Sequence, residues 1–240
     1  MKVLISAQSL EEAAAILAGG ADILDIKNPA EGSLGASFPW IIRAVAEQSA
    51  DTEVQLSATL GDLPYKPGTA ALAAWGAIQA GARYIKAGLH GTRDESEARD
   101  LMTAVVRSCR EAGPLPLPVA AGYADYRRFQ GLDPLTIVRV ARDSGAAVVM
   151  LDTAIKDGTT LFEPLGETEI RGFLGAARRA GLTTALAGSL QAGQLGLLGR
   201  LGVDIIGIRG AVCRNGDRRG VIDAMLVRDF MARARLAAAA

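Results

Sequence analysis

Lysine is scarce in this chain and unevenly placed. Of the 26 basic side chains 21 are arginine and five are lysine, and three of the five, Lys27, Lys86 and Lys156, stand at or just past the ends of short apolar runs. Arginine stays protonated in a protein, whereas a lysine withdrawn from water can give up its proton and attack a carbonyl carbon. The choice of lysine at these points therefore suggests imine chemistry. Carboxylates accompany them: Asp25 lies two residues before Lys27, and Asp152 four before Lys156. Crowded, poorly solvated ammonium groups depress one another's pKa, which favours one neutral amine near neutral pH. Buried Asp–Lys pairs that merely fill an interior are the bland alternative. Such pairs rarely improve on apolar packing, and a surface otherwise built with arginine has no packing reason to use lysine.

The elements that must hold these residues are legible as a repeat. Short β-rich runs occur at 2–7, 22–27, 53–59, 84–89, 118–123, 148–153, 183–188 and 204–210. Between them lie stretches rich in Ala, Leu, Arg and Glu at 9–18, 38–49, 69–80, 94–111, 134–143, 168–180 and 191–201, with a last helix at about 221–235. Gly-Ala or Gly-Val pairs at 20, 81, 145 and 202 precede alternate strands, as the re-entry turn of a helix-to-strand unit demands. Strict alternation requires parallel strands with right-handed crossovers. Eight units in 240 residues predict a single-domain, closed, parallel eight-stranded (β/α)8 TIM barrel over 1–240. An open doubly wound sheet is the alternative, but no GxGxxG follows the first strand.

Residues two apart on a strand share a face. In 22–27, Asp25 and Lys27 oppose apolar Leu24 and Ile26; in 84–89, Lys86 opposes Ile85 and Ala87; in 148–153, Asp152 opposes Leu151. The apolar faces belong against the helices, so the lumen collects Asp25, Lys27, Lys86 and Asp152 near the C-terminal rim, with Lys156 in the loop above. Beyond the last two strands stand Gly188, Ser189, Arg209 and Gly210, small residues and a charged fork where barrels of this type commonly bind phosphate. The loops 28–37 and 60–69 are candidate lids, Tyr123 and Asp125 fall at the fifth rim, and His90 reads as a polar loop residue.

Bulk properties exclude other classes. Acidic and basic residues balance at 26 each without a long single-sign run, which argues against nucleic-acid partners. Cys109, Cys213 and the lone His90 lack metal-ligand spacing, so neither metal nor disulfide framework is expected. No signal-peptide core or membrane span is readable, which predicts a cytoplasmic protein, and the Ala237–Ala240 run reads as a fraying helix end. Barrels of this size often form homo-oligomers through helix faces, and that is the expectation here.

Several stretches carry a closer resemblance: DIKNPAEGSLGA (25–36), SATLGDLPYKPGT (57–69), YIKAGL (84–89), VAAGYAD (119–125), MLDTAIKDGTTLF (150–162), ALAGS (185–189) and GIRGAVC (207–213). Together they resemble the (5-formylfuran-3-yl)methyl phosphate synthase family, also called 4-(hydroxymethyl)-2-furancarboxaldehyde-phosphate synthase. The resemblance implies a carbon–oxygen lyase of methanofuran or methylofuran biosynthesis that needs no cofactor and condenses two glyceraldehyde 3-phosphates. It implies Lys27 as the imine-forming residue, Lys86 as the proton-transferring one, and Asp25, Asp152 and Lys156 as supporting catalytic groups. On this reading one triose phosphate is isomerised to its ketone and captured by Lys27. The resulting enamine adds to the aldehyde of the second triose, and loss of one phosphate and two waters closes the ring. Asp25 would hold Lys27 in place. Another Schiff-base aldolase or dehydratase acting on a phosphorylated sugar is the alternative; only the furan product absorbs in the near ultraviolet.

Overall fold

A computed structural model of the chain describes residues 1–239. Eight parallel strands pair in chain order and close on themselves: β1 (Lys2–Ala7), β2 (Ile23–Ile26), β3 (Gln55–Pro64), β4 (Tyr84–Gly91), β5 (Leu117–Tyr123), β6 (Val148–Asp152), β7 (Thr183–Leu186) and β8 (Ile205–Ile208). Each is followed by a helix: α1 (Leu10–Gly19), α2 (Pro39–Gln48), α3 (Pro67–Gln79), α4 (Glu95–Glu111), α5 (Pro134–Ser144), α6 (Glu167–Arg179), α7 (Leu195–Leu201) and α8 (Ala224–Ala239). The expected closed barrel is the architecture observed.

Local chemistry starts and stops the helices. Asp133 caps α5 by accepting from the backbone N–H groups of Leu135 and Thr136 at 2.9 and 3.1 Å, ahead of Pro134 in the first turn. Gly145 ends that helix at φ 78°, a left-handed conformation that spares any other residue's Cβ strain, and turns the chain back into β6.

Two apolar layers result. One lies between barrel and helices, with Ile5, Leu24, Ile26, Ile85, Val149, Leu151 and Ile206 facing outward against helix residues such as Leu101, Phe173 and Leu198. The other fills the lower lumen with Leu4, Ile23, Tyr84, Val119, Val148, Met150 and Ile205. The period-two alternation thus resolves as predicted, and the polar residues of the same inward faces lie above this plug.

Two segments differ from the sequence expectation. Residues 60–64, read as part of a loop, extend β3, and β4 runs on to Gly91 beside them, with register shifts around Asp62. Close backbone approach explains the extension: a Cβ at Gly91 would lie 2.4 Å from the carbonyl oxygen of Leu63, which only glycine tolerates. At the other end α8 continues through Ala237–Ala239 rather than ending near 235, and Ala237 packs on the core beside Gly199. Ala240 lies outside the described residues.

Candidate active site

At the C-terminal rim the barrel opens into a cavity of about 400 Å³ whose wall includes Lys27, Lys86, Asp152, Lys156, Gly188 and Arg218. Two lysines there are tied to carboxylates. Lys86 Nζ donates to Asp25 Oδ1 at 2.9 Å, and Lys156 Nζ donates to Asp152 Oδ1 at 2.6 Å and to the Thr153 hydroxyl at 3.1 Å. Lys27 is different. Among the described residues its only hydrogen-bond acceptor is the carbonyl oxygen of Ser33 at 3.3 Å. Asp25 therefore holds Lys86 and not Lys27, contrary to the role expected for it.

Register explains why Asp25 takes that part. Asp25 is level with Ser6 of β1 and Ser57 of β3, and both hydroxyls donate to it, at 2.9 and 2.7 Å. With Lys86 they clamp a carboxylate that is fully buried. Burial alone would raise its pKa; the charges of Lys86 and Lys27 and the hydrogen bonds from Ser57 and Lys86 outweigh burial and hold it below the usual value. Asp152 behaves alike, lowered to about 2 because Lys156, Lys27 and the Thr153 N–H overcome its burial.

Lys27 goes the other way. Burial disfavours its ammonium form, the charges of Lys156 and Lys86 add to that, and the attraction of Asp152 and Asp25 compensates only in part; the amine falls from 10.5 to about 8. The site thus flanks one poorly solvated, unpaired amine with two Lys–Asp pairs. That arrangement suits nucleophilic attack on a carbonyl.

The strap 28–37 covers this amine from above. Ser33 bridges it to the sixth rim by donating to the Thr153 carbonyl at 2.9 Å, and the Thr59 hydroxyl holds the Gly35 carbonyl at 2.6 Å. Asp62, on the extension of β3, accepts from the Leu34 N–H at 3.2 Å and from the Tyr123 hydroxyl. Burial, and then the neighbouring Asp62, push the Tyr123 phenol well above its ordinary pKa, so it serves as a donor. Asp125, also from the fifth rim, accepts from the N–H groups of Ala154 and Ile155 at 2.7 and 2.8 Å and so shapes the loop that carries Lys156. His90 stacks on Phe129 with ring centroids 4.2 Å apart and takes no part in the lysine cluster.

At the same rim, beyond β7, Gly188 and Ser189 have φ of 116° and 49°, and among the described residues neither N–H is engaged by another protein group. Together with the start of the turn at Gly210–Val212 they line the cavity with open donors, a suitable anion cradle. Arg209 is a correction to the expected phosphate fork. All five of its N–H donors are used: Nη1 and Nη2 grip Glu12 at 2.7 and 2.8 Å, and the carbonyls of Ser6, Arg218 and Gly220 take the rest. The guanidinium is a structural tie between α1, β1 and the 214–220 loop. Among the described residues no group of three or more His, Cys, Asp or Glu is placed to hold a metal, and Cys109 and Cys213 are free and buried. None of the described helices is long and apolar enough to cross a membrane.

Comparison with known proteins is decisive about kinship. The 4-HFC-P synthase family model matches residues 3–231. The chain belongs to this family. Relatives named (5-formylfuran-3-yl)methyl phosphate synthase include that of Methanothermobacter thermautotrophicus, 53% identical over 218 residues and covering 91% of this chain and 92% of the relative. That of Archaeoglobus fulgidus is 48% identical over 231 residues, or 96% of this chain and 98% of the relative. Among solved structures, 3-hexulose-6-phosphate synthase from Salmonella typhimurium superposes with a TM-score of 0.66 at 18% identity, covering 98% of this chain and all of the other. Phosphoribosyl anthranilate isomerase from Thermus thermophilus gives 0.59 at 19%, covering 98% of this chain and 99% of the other. These two likenesses concern the barrel alone.

In this 4-HFC-P synthase family member the sequence located the lysines and aspartates but not Ser6, Ser57 or the Asp62–Tyr123 link. Ser6 and Ser57 do occupy inward positions of their strands, yet only the pairing register reveals that they meet Asp25.

Proposed function

We propose that this protein condenses two triose phosphates, supplied as glyceraldehyde 3-phosphate, into (5-formylfuran-3-yl)methyl phosphate through an imine on Lys27, a step of methanofuran or methylofuran biosynthesis. The observation that carries the proposal is the unpaired Lys27 amine, lowered to about 8 between the Lys86–Asp25 and Lys156–Asp152 pairs. A buried amine of that kind is partly neutral under ordinary conditions and therefore nucleophilic.

The substitution pattern named for the relatives constrains how the carbons join. An enamine adding through a terminal carbon to the second aldehyde, the route expected at first, yields an unbranched six-carbon chain. Its furan would carry both substituents next to the ring oxygen. The named furan instead bears the phosphomethyl arm one carbon further away, so the skeleton is branched and the imine carbon of the captured ketone is the electrophile.

Balanced steps follow. Lys27 and the ketone triose form an imine and release water. The second triose loses its C2 proton, its C3–O bond breaks with the electron pair leaving on phosphate, and the enol of a 2-oxo aldehyde remains. The CH2 carbon of that enol attacks the imine carbon, forming the new carbon–carbon bond. The free hydroxymethyl oxygen closes on the ketone, and loss of water and of the Lys27 amine aromatises the ring. One phosphate and two waters leave, with no net oxidation.

Lys86, gripped by Asp25, would shuttle protons at the imine, and Lys156 with Asp152 would assist elimination. The open N–H groups of Gly188, Ser189 and Gly210 would hold the phosphate that the imine-bound triose retains. The test is incubation with glyceraldehyde 3-phosphate. Furan absorbance should rise with one phosphate released per product, and borohydride should fix a triose on Lys27. Label on another lysine, or a product without near-ultraviolet absorbance, would reject the reading.

A further inference from the structure

A second cavity of about 430 Å³ opens beside the first, and its wall includes Gln8, Ser33, Lys156, Arg218 and Arg219. Lys156, Arg218 and Arg219 line both cavities and so form the partition between them. Arg218 is only partly exposed, yet among the described residues its guanidinium has no carboxylate within 4.0 Å and no hydrogen-bond acceptor. Arg219, which is exposed, likewise has neither among the described residues. The buried Arg209, by contrast, is matched by Glu12, whereas the partly buried Arg83 also has a buried Nε without a partner.

The segment bearing the two arginines is held in place. Arg209 Nε donates to the Arg218 carbonyl at 2.8 Å and Nη2 to the Gly220 carbonyl at 3.3 Å, and Arg209 is itself anchored on the buried Glu12. Burial lowers the Arg218 pKa, with the more distant Asp152 only partly offsetting it. A partly desolvated cation fixed at a cavity wall without a counterion, with an exposed second cation beside it, has an unmet demand for an anion. Gln8 also lines this cavity; in the orientation that matches donors to acceptors its carbonyl oxygen accepts from Arg209 at 3.1 Å.

We infer that Arg218 and Arg219, with Lys156 at the partition, form a second phosphomonoester subsite, which holds the phosphate of the triose that undergoes elimination. The inference rests on the proposed condensation and deepens it: two phosphorylated substrates need two anion sites, and only one phosphate survives in the product. Cations around the second site stabilise the charge that develops on phosphate as its C3–O bond breaks. The first triose, held by Lys27 and the Gly188–Ser189 cradle, does not depend on them.

The experiment compares the intact protein with Arg218→Gln, Arg219→Gln and the double variant, each checked for an unchanged thermal melt. Inorganic phosphate, titrated by calorimetry, should occupy two sites per chain in the wild type and one in the double variant. Borohydride trapping of a triose on Lys27 should persist in all of them. The triose phosphate concentration for half-maximal furan formation should rise about tenfold or more for each guanidinium removed. Two phosphate sites retained in the double variant, or trapping on Lys27 lost along with furan formation, would overturn the subsite. If the wild type itself traps no triose on Lys27, the condensation fails while the phosphate titration still reads the subsite.

Discussion

A single amine has different neighbours from its companions, and its titration should show in catalysis. An amine attacks a carbonyl only when neutral, so under the proposed mechanism kcat/KM should rise with pH through an ascending limb near the value of about 8 that burial imposes on Lys27. A limb near 10 would mean that the amine is not depressed. Lys27→Ala should lose furan formation to background, and Lys27→Arg should not restore it, because a guanidinium does not form the imine. Lys86→Ala should reduce turnover by about 10²- to 10⁴-fold, the usual worth of a positioned acid–base group, while borohydride still marks Lys27. Asp25→Asn strips the buried Lys86 of its counterion and leaves Ser6 and Ser57 facing an amide. It should cost about 3 kcal/mol in urea unfolding, as removal of one partner of a buried pair does.

Between elements, a carboxylate helps to hold each of the strap 28–37 and the 214–220 loop. Asp62 joins the extension of β3 to Leu34 of the strap and to Tyr123 of β5. Asp62→Ala should therefore speed amide exchange at Leu34 and Gly35 and raise KM more than it lowers kcat, while exchange in the β1–β2 pairs stays unchanged. Equal exchange across the whole barrel would make Asp62 a general stability residue instead. Glu12 plays the same part for the other loop. Glu12→Gln leaves the Arg209 charge buried beside a neutral amide and should destabilise the fold by about 3 kcal/mol, visible as a lower urea midpoint at unchanged slope.

At the level of the whole molecule, the buried Lys27 is a burden on folding. Its folded pKa of about 8 lies below the unfolded 10.5, so the unfolded chain binds more protons between those values. The penalty is fully present below about 8 and vanishes as pH rises past 10.5, reaching about 3 kcal/mol at 1.36 kcal/mol per unit. Lys27→Met should then melt at a higher temperature than wild type at pH 7, with the gap closing above pH 10. Asp152 has the opposite sign: lowered from 3.8 to about 2, it contributes stability that is present above 3.8 and lost as pH falls through about 2. Outside the barrel, neighbouring helices α2 and α3 expose Trp40 and Leu72 at 65% and 76%, and Phe38 stacks on Trp40 at 4.8 Å. Such apolar faces fit the expected homo-oligomer. Sedimentation should give a multiple of 24.9 kDa that Trp40→Glu reduces to the single chain.

Eight β/α units and the inward placing of Asp25, Lys27, Lys86 and Asp152 followed from local signals. Period-two alternation and glycine-marked turns depend only on nearby residues, and backbone sterics enforce them wherever they occur. The partners of those residues did not follow. That Asp25 meets Ser6, Ser57 and Lys86, that Arg209 spends its donors on Glu12, and that residues 60–64 continue β3 are consequences of strand register and barrel closure. Those bring together residues dozens of positions apart, and a chain read in one dimension holds no distance between them. The same closure decides which lysine goes unpaired, because desolvation is a property of the assembled interior and of no single residue.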